Sequence, residues 1–262
     1  MQVGLIGCGN MARALARGWA KPLLCSDPIT ERARSLAAEV GGEALSDNTE
    51  VARRADLVVL CHKPAQLVAV ASEVAPHAKA VASILAATPL AALRQAYPDR
   101  PVYRFIPSLP VEVRQGAVVQ AAEPPGGAGA QASPQDEQLA GAVRGLFAEL
   151  GVLVVLDDSL VDVAMGLMSC APAYVALVAE AQVDAGVRRG IPAAEGAELV
   201  VQTLAGTAEL LRRRDYDMVA VRREVTSPGG LTARGLDALE RIAERRAKPS
   251  DALDAVVEQR AR

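Results

Sequence analysis

The run Val3–Ile6 opens directly into Gly7-Cys8-Gly9-Asn10-Met11-Ala12 and then into a helical pattern. A Gly-x-Gly-x-x-Ala spacing between a strand and a helix suits phosphate chemistry. The glycines allow a tight turn, backbone N–H groups approach a pyrophosphate, and the helix N-terminus supplies partial positive charge. A glycine-rich turn without a ligand is the bland alternative; the strand before it and the helix after it weigh against that. The next strand ends at Ser26-Asp27-Pro28, where such a fold meets an adenosine ribose. Asp27 there would accept from a ribose 2′-hydroxyl and select NAD. Ser26, with Arg32 and Arg34 nearby, would instead hold a 2′-phosphate and select NADP. A solvated helix start explains the same residues equally well, and the sequence leaves the choice open.

His62-Lys63-Pro64 follows the apolar run Asp56–Cys61 at its carboxyl end, where open α/β sheets bind ligands. Lys63 either contacts a cofactor ribose or is solvated, and His62 reads as a loop side chain rather than a catalyst. Arg104-Phe105-Ile106-Pro107-Ser108 ends another strand on the same edge, with Pro107 fixing a loop near a nicotinamide. Two further segments stand out beyond residue 157. Ser169-Cys170-Ala171-Pro172-Ala173-Tyr174 places small residues and a proline inside a helical pattern, which permits close approach of a ligand or of another backbone. Thr226-Ser227-Pro228-Gly229-Gly230-Leu231-Thr232 exposes successive N–H groups as an anion nest. Its plain alternative is a loop with Thr232 as helix N-cap.

These residues need elements to hold them. Short β-like runs at 3–6, 23–26, 56–61, 80–85, 101–106, 116–120 and 152–156 alternate with helical patterns such as 11–19, 31–40 and 138–149. That alternation predicts βαβ units and a parallel sheet covered on both faces. Glu123–Gln135 reads as an exposed loop. From Ser159 to Ala261 the patterns are almost wholly helical, with Asp158 and Ser159 as N-cap candidates. The expected plan is α/β over residues 1–157, a dinucleotide-binding domain, and all-helical over 158–262.

Composition narrows the function classes. With 262 residues, 51% hydrophobic and 23% charged, the chain has globular composition, and its 3% aromatics imply a core of Ala, Val and Leu. Lys plus Arg number 28 against 31 acidic residues, so a nucleic-acid or anionic-membrane partner lacks the basic field it needs. The four cysteines and two histidines show no zinc spacing. Disulfides are not expected, so the chain reads as reduced and cytoplasmic, without a signal peptide. No apolar run is expected to reach the ~20 residues that span a membrane.

Taken together, GLIGCGNMA, the Lys63-Pro64 pair, RFIPS, the Pro172-Ala173-Tyr174 helix and, most specifically, VTSPGGLT resemble the pyrroline-5-carboxylate reductase family over nearly the whole chain. The resemblance implies a Rossmann domain followed by a helical domain that dimerises by intertwining, often assembling further into decamers. It also implies NADPH or NADH reducing a small cyclic imine to L-proline. Carried over by position, Gly7, Gly9, Asn10, Met11 and Ala12 would lie on the cofactor diphosphate, Ser26 at its adenosine end, and Lys63 and Pro64 beside its ribose. Gly229, Gly230 and Leu231 would bind the substrate carboxylate, and Thr232 would reach the ring nitrogen as the catalytic residue. The family usually has Met-Pro-Asn where this chain has Ile106-Pro107-Ser108, Gly-Ser-Gly where it has Ser169-Cys170-Ala171, and a glycine near Ala87. The first two departures resemble reductase-like competence proteins, so a regulatory dinucleotide-binding role, or another imine substrate, is the alternative. A β-hydroxyacid dehydrogenase, similar in plan, would need a lysine early in its helical domain, and this chain has none between Lys79 and Lys248.

Overall fold

The computed structural model describes residues 1–122 and 133–245. Most of the expected loop 123–135 and the helical reading beyond residue 245 therefore lie outside the described residues. Within them, strands and helices alternate as β1 (Val3–Ile6), α1 (Asn10–Trp19), β2 (Leu24–Ser26), α2 (Thr30–Val40), β3 (Glu43–Ala44), α3 (Asn48–Arg54) and β4 (Leu57–Leu60). There follow α4 (Leu67–Val74), β5 (Val81–Ser83), α5 (Leu90–Ala96), β6 (Val102–Pro107), β7 (Gly116–Ala121), α6 (Pro134–Ala148) and β8 (Gly151–Leu156). The remainder is helical: α7 (Val161–Met168), α8 (Ala171–Val187), α9 (Ala193–Arg213), α10 (Met218–Glu224) and α11 (Leu231–Arg245).

The eight strands form one sheet in the order β3-β2-β1-β4-β5-β6-β7-β8. Strand neighbours are parallel except β6 and β7, which pair antiparallel with Phe105 opposite Gln120. The all-parallel expectation is thus corrected at that edge. Only residues 108–115 join β6 to β7, and a parallel crossover needs a dozen residues or more. Each central strand feeds two cores through its period of two. Leu57 and Val59 enter one cluster with α1, α2 and α6, whereas Val58 and Leu60 enter the other with α3, α4, α5 and α7. The first core holds most of the bulky aromatics: Trp19 packs edge-on against Phe147 at 5.5 Å, and Phe147 stacks on Phe105 at 3.9 Å. Trp19 also donates its indole N–H to the Leu146 carbonyl at 2.9 Å.

A charged group is buried in this unit as well. Arg104 is fully buried, and its guanidinium meets Asp158 Oδ1 and Asp162 Oδ1, both at 2.6 Å. The other oxygen of Asp158 accepts the Leu90 N–H at the start of α5. This corrects the capping expectation for Asp158 and Ser159. Asp157 caps the turn that precedes α7, accepting from Ser159 N, while Asp158 is spent on Arg104.

By compactness the chain divides at Pro172, so α7 goes with the sheet, and a second unit begins at Ala173. In the second unit few apolar side chains are buried. Val175, Leu177, Val178, Leu199 and Val201 are among those left exposed. The segment Asp158–Val187 is also long and apolar enough, by length and composition alone, to cross a membrane. That overturns the expectation that no run reaches this length.

Candidate dinucleotide site

The strand order reverses at β1, with β2 on one side and β4 on the other, and ligands of open α/β sheets bind at such a switch point. β1 and β4 run in register, Ile6 opposite Leu60, so the two loops that follow them emerge side by side. The Gly7–Gly9 loop leaves β1 and Cys61-His62-Lys63 leaves β4, and with the start of α1 they border a cleft of about 700 Å³. Asp27, Arg13, Arg32 and Gln66 complete much of its lining.

Two glycines here serve different purposes. Gly7 has φ +92°, and a Cβ there would stand 2.9 Å from the Cys61 and His62 backbones, so any other residue would force the two loops apart. Gly9 has an ordinary φ of −76°, and a Cβ on it would meet nothing within 4 Å. Its bareness therefore serves space outside the protein. Gly9 is the N-cap of α1; no side chain caps that end and no acidic residue stands in its first turn. The N–H groups of Asn10, Met11 and Ala12 accordingly have no partner within the helix, and they carry the positive end of its dipole. An uncapped, positive helix end behind a bare glycine fits a diphosphate.

The strand ends settle the surrounding side chains. Asp27 is half-buried and accepts two backbone N–H bonds, from Cys8 at 2.7 Å and from Ile29 at 2.8 Å. Ser26 is buried and donates to Asn48 Oδ1 at 2.7 Å, facing a smaller hollow of about 190 Å³ that it shares with Asp27, Asp47 and Glu73. Lys63 is exposed at the cleft, and Pro64 begins a 3-10 turn, Pro64–Gln66, whose Gln66 side chain accepts from Lys63 N. Ala12 is buried, its small side chain packing α1 against the sheet. His62 lines the cleft with Nδ1 2.8 Å from the Lys63 carbonyl, and burial holds its pKa below the ordinary value.

Cys8, Cys25 and Cys61, scattered in the sequence, join one core cluster at the floor of this region. All are free thiols. A hydrogen bond with Cys25 and burial push the Cys8 thiol up, and burial does the same for Cys61, so both favour the neutral thiol.

At the edge, Ser108 is buried at the β6–β7 bend, where its hydroxyl accepts the Ala117 N–H at 2.9 Å. Ser169 donates to the Pro107 carbonyl at 3.2 Å.

The segment Gly229–Thr232 lies in the second unit. Gly229 has φ +68°, and Gly230 N donates to the Ser227 carbonyl. Arg234 N donates to Gly230 O, so the helix is entered at Gly230, and Thr232 lies inside its first turn. The N-cap alternative for Thr232 is thereby corrected. Leu231 and Thr232 are exposed. Sequence position offers Asp27 as a ribose contact and His62 as a loop side chain, whereas Arg13 and Gln66 carry no such signal and reach the cleft only through the switch-point geometry.

Comparisons with known proteins agree with this geometry. Residues 158–262 match the family model described as pyrroline-5-carboxylate reductase dimerisation, and residues 2–87 match that for NADP oxidoreductase, coenzyme F420-dependent. The chain is 33% identical to a pyrroline-5-carboxylate reductase of Synechocystis, covering 94% of this chain and 92% of the relative. It is 36% identical to that of Thermus thermophilus, covering 94% and 93%. Among solved structures, the Plasmodium falciparum pyrroline carboxylate reductase with NADP bound superposes with a TM-score of 0.85 at 25% identity, covering 99% of this chain and 97% of that one. The Streptococcus pyogenes 1-pyrroline-5-carboxylate reductase does so at 0.85 and 28%, covering 99% and 98%.

Proposed function

Because the chain belongs to the pyrroline-5-carboxylate reductase family, we propose that it reduces the cyclic imine 1-pyrroline-5-carboxylate to L-proline with NADPH or NADH. The observation that carries this is the uncapped amino end of α1 behind Gly9, opening on the switch-point cleft. When bound, the reduced nicotinamide supplies the hydride that turns the C=N carbon into CH–NH.

The chain's own part is to hold and orient. Backbone N–H groups of Asn10, Met11 and Ala12 hold the diphosphate, with Gly7 and Gly9 clearing its path. Lys63 and Pro64 flank the ribose, and Ser26 stands by the hollow at the adenosine end. Gly229 and Leu231 offer N–H groups to the substrate carboxylate, with Gly230, whose N–H is held by the Ser227 carbonyl, shaping the turn between them, and the Thr232 hydroxyl bonds the ring nitrogen. The imine nitrogen enters already protonated or takes its proton through Thr232 and water. Position then supplies most of the rate enhancement.

In functional terms residues 1–157 serve the dinucleotide and residues 158–262 serve dimerisation and substrate. The apolar surface of α8 and α9 is covered by a second copy rather than by lipid, and the dimers assemble further into a decamer. The enzyme is cytoplasmic, without a membrane or nucleic-acid partner. The test is oxidation of NADPH and NADH with and without 1-pyrroline-5-carboxylate. Imine-dependent oxidation with stoichiometric proline is expected. Dinucleotide binding without any turnover would favour the regulatory alternative.

A further inference from the structure

We infer that Asp27 reads the adenosine ribose of the cofactor and makes this chain discriminate against a 2′-phosphate, so that NADH binds more tightly than NADPH. The inference rests on the dinucleotide reading of the α1 cleft but on no assumption about the imine.

Asp27 sits one residue past β2, 18 positions after Gly9, at the place where dinucleotide folds meet the ribose 2′-hydroxyl. Its orientation is not left to chance. Cys8 N–H, from the Gly7–Gly9 loop itself, donates to Oδ2 at 2.7 Å, and Ile29 N–H donates to Oδ1 at 2.8 Å. One carboxylate is thus pinned between the diphosphate loop and the start of α2, on the cleft wall. Two backbone donors leave lone pairs over, because a carboxylate offers about four acceptor sites. A ribose hydroxyl can donate to those, whereas a phosphate has only acceptors and charge to bring.

The surroundings reinforce the sign. The hollow beyond Ser26 is lined by Asp27, Asp47 and Glu73, so a 2′-phosphate placed there faces three carboxylates. Asn48 spends one of its two amide N–H donors on Glu73 Oε2 at 2.7 Å, so at most one remains for a phosphate there.

The opposing cations are Arg13, Arg32 and Lys63 on the cleft side. Arg13 is engaged with Glu39, Ser35 and the Arg32 carbonyl. Arg32 and Lys63 are solvent-exposed, where a charge–charge contact is worth least. A half-buried, pinned carboxylate outweighs them.

Equilibrium titration of the full-length protein with NADH and with NADPH, followed by nucleotide fluorescence and without any imine, tests this. The wild type should bind NADH about tenfold or more tightly than NADPH. Asp27→Ser should bring the two to parity or reverse them. Asp27→Asn keeps an acceptor for one backbone N–H and removes the charge, so it should narrow the ratio even where Asp27→Ser disturbs the loop. Equal or tighter NADPH binding by the wild type would overturn the inference. So would a ratio unmoved in Asp27→Asn. Failure of the imine-reductase reading would show instead as absent turnover with both dinucleotides, and would leave the binding ratio readable.

Discussion

Replacing Gly9 by Asp separates binding from folding with opposite signs. In the protein alone the change is benign, because the position has φ −76°, and a Cβ there would meet nothing within 4 Å. It should even help: Gly9 caps α1 without a side-chain hydrogen bond, and Asp is a strong N-cap residue. The gain over glycine is a few tenths of a kcal/mol from the cap, plus roughly 0.3–1 kcal/mol from the helix dipole. Against a dinucleotide the same carboxylate takes the diphosphate's place. A unit charge about 4 Å from one phosphate charge, at an effective dielectric of about 20, is repelled by about 4 kcal/mol. That corresponds to roughly a thousandfold in Kd. The site is exposed and salt screens it, which leaves a loss of at least about a hundredfold as the expectation. Fluorescence titration and a thermal melt on one preparation read both quantities. Wild-type affinity in Gly9→Asp would place the dinucleotide elsewhere, and a lowered melting temperature would refute the open-space argument.

Thr232→Ala should lower turnover by about ten- to a thousandfold with dinucleotide affinity and melting temperature kept, since Thr232 lies inside α11 and caps nothing; wild-type turnover would remove its catalytic role. Arg104→Leu removes the cation facing Asp158 and Asp162 and sets an apolar side chain beside them, and should cost about 3–5 kcal/mol in chemical denaturation; a midpoint within error of wild type would show that the carboxylates do not need the guanidinium. Ala87, held at φ +55°, should give up to about 1 kcal/mol of stability on replacement by Gly, offset in part by glycine's freedom in the unfolded chain; a lowered midpoint would show that the alanine is unstrained. Sedimentation should find a homodimer at micromolar concentration, because the second unit leaves Leu177, Leu199 and Val201 exposed; a stable, active monomer would refute it.

The sequence by itself determined what depends on neighbours in the chain. The Gly7-x-Gly9-x-x-Ala12 turn between β1 and α1, the alternation of strands and helices, and the helical run after residue 157 are all local: period, glycine positions and turn chemistry act within a few residues. The same holds for the glycine turn at Gly229–Gly230, although the helix there starts two residues earlier than a Thr232 cap would have it. Tertiary structure decided what depends on distance. Asp158 looks like an N-cap until the sheet brings in Arg104, 54 residues away, whose buried charge needs a carboxylate more than a helix end does. The reversal of β7 follows from a connection too short to cross the sheet. Cys8, Cys25 and Cys61 have no motif in common and become neighbours only because β1, β2 and β4 lie side by side. Asp27, one of several residues able to meet a ribose in the sequence, is held by a Cys8 N–H that only the folded loop could aim at it. Local chemistry writes the elements; which side chains share a low-dielectric space, and so which charges must be answered, is settled when the elements pack.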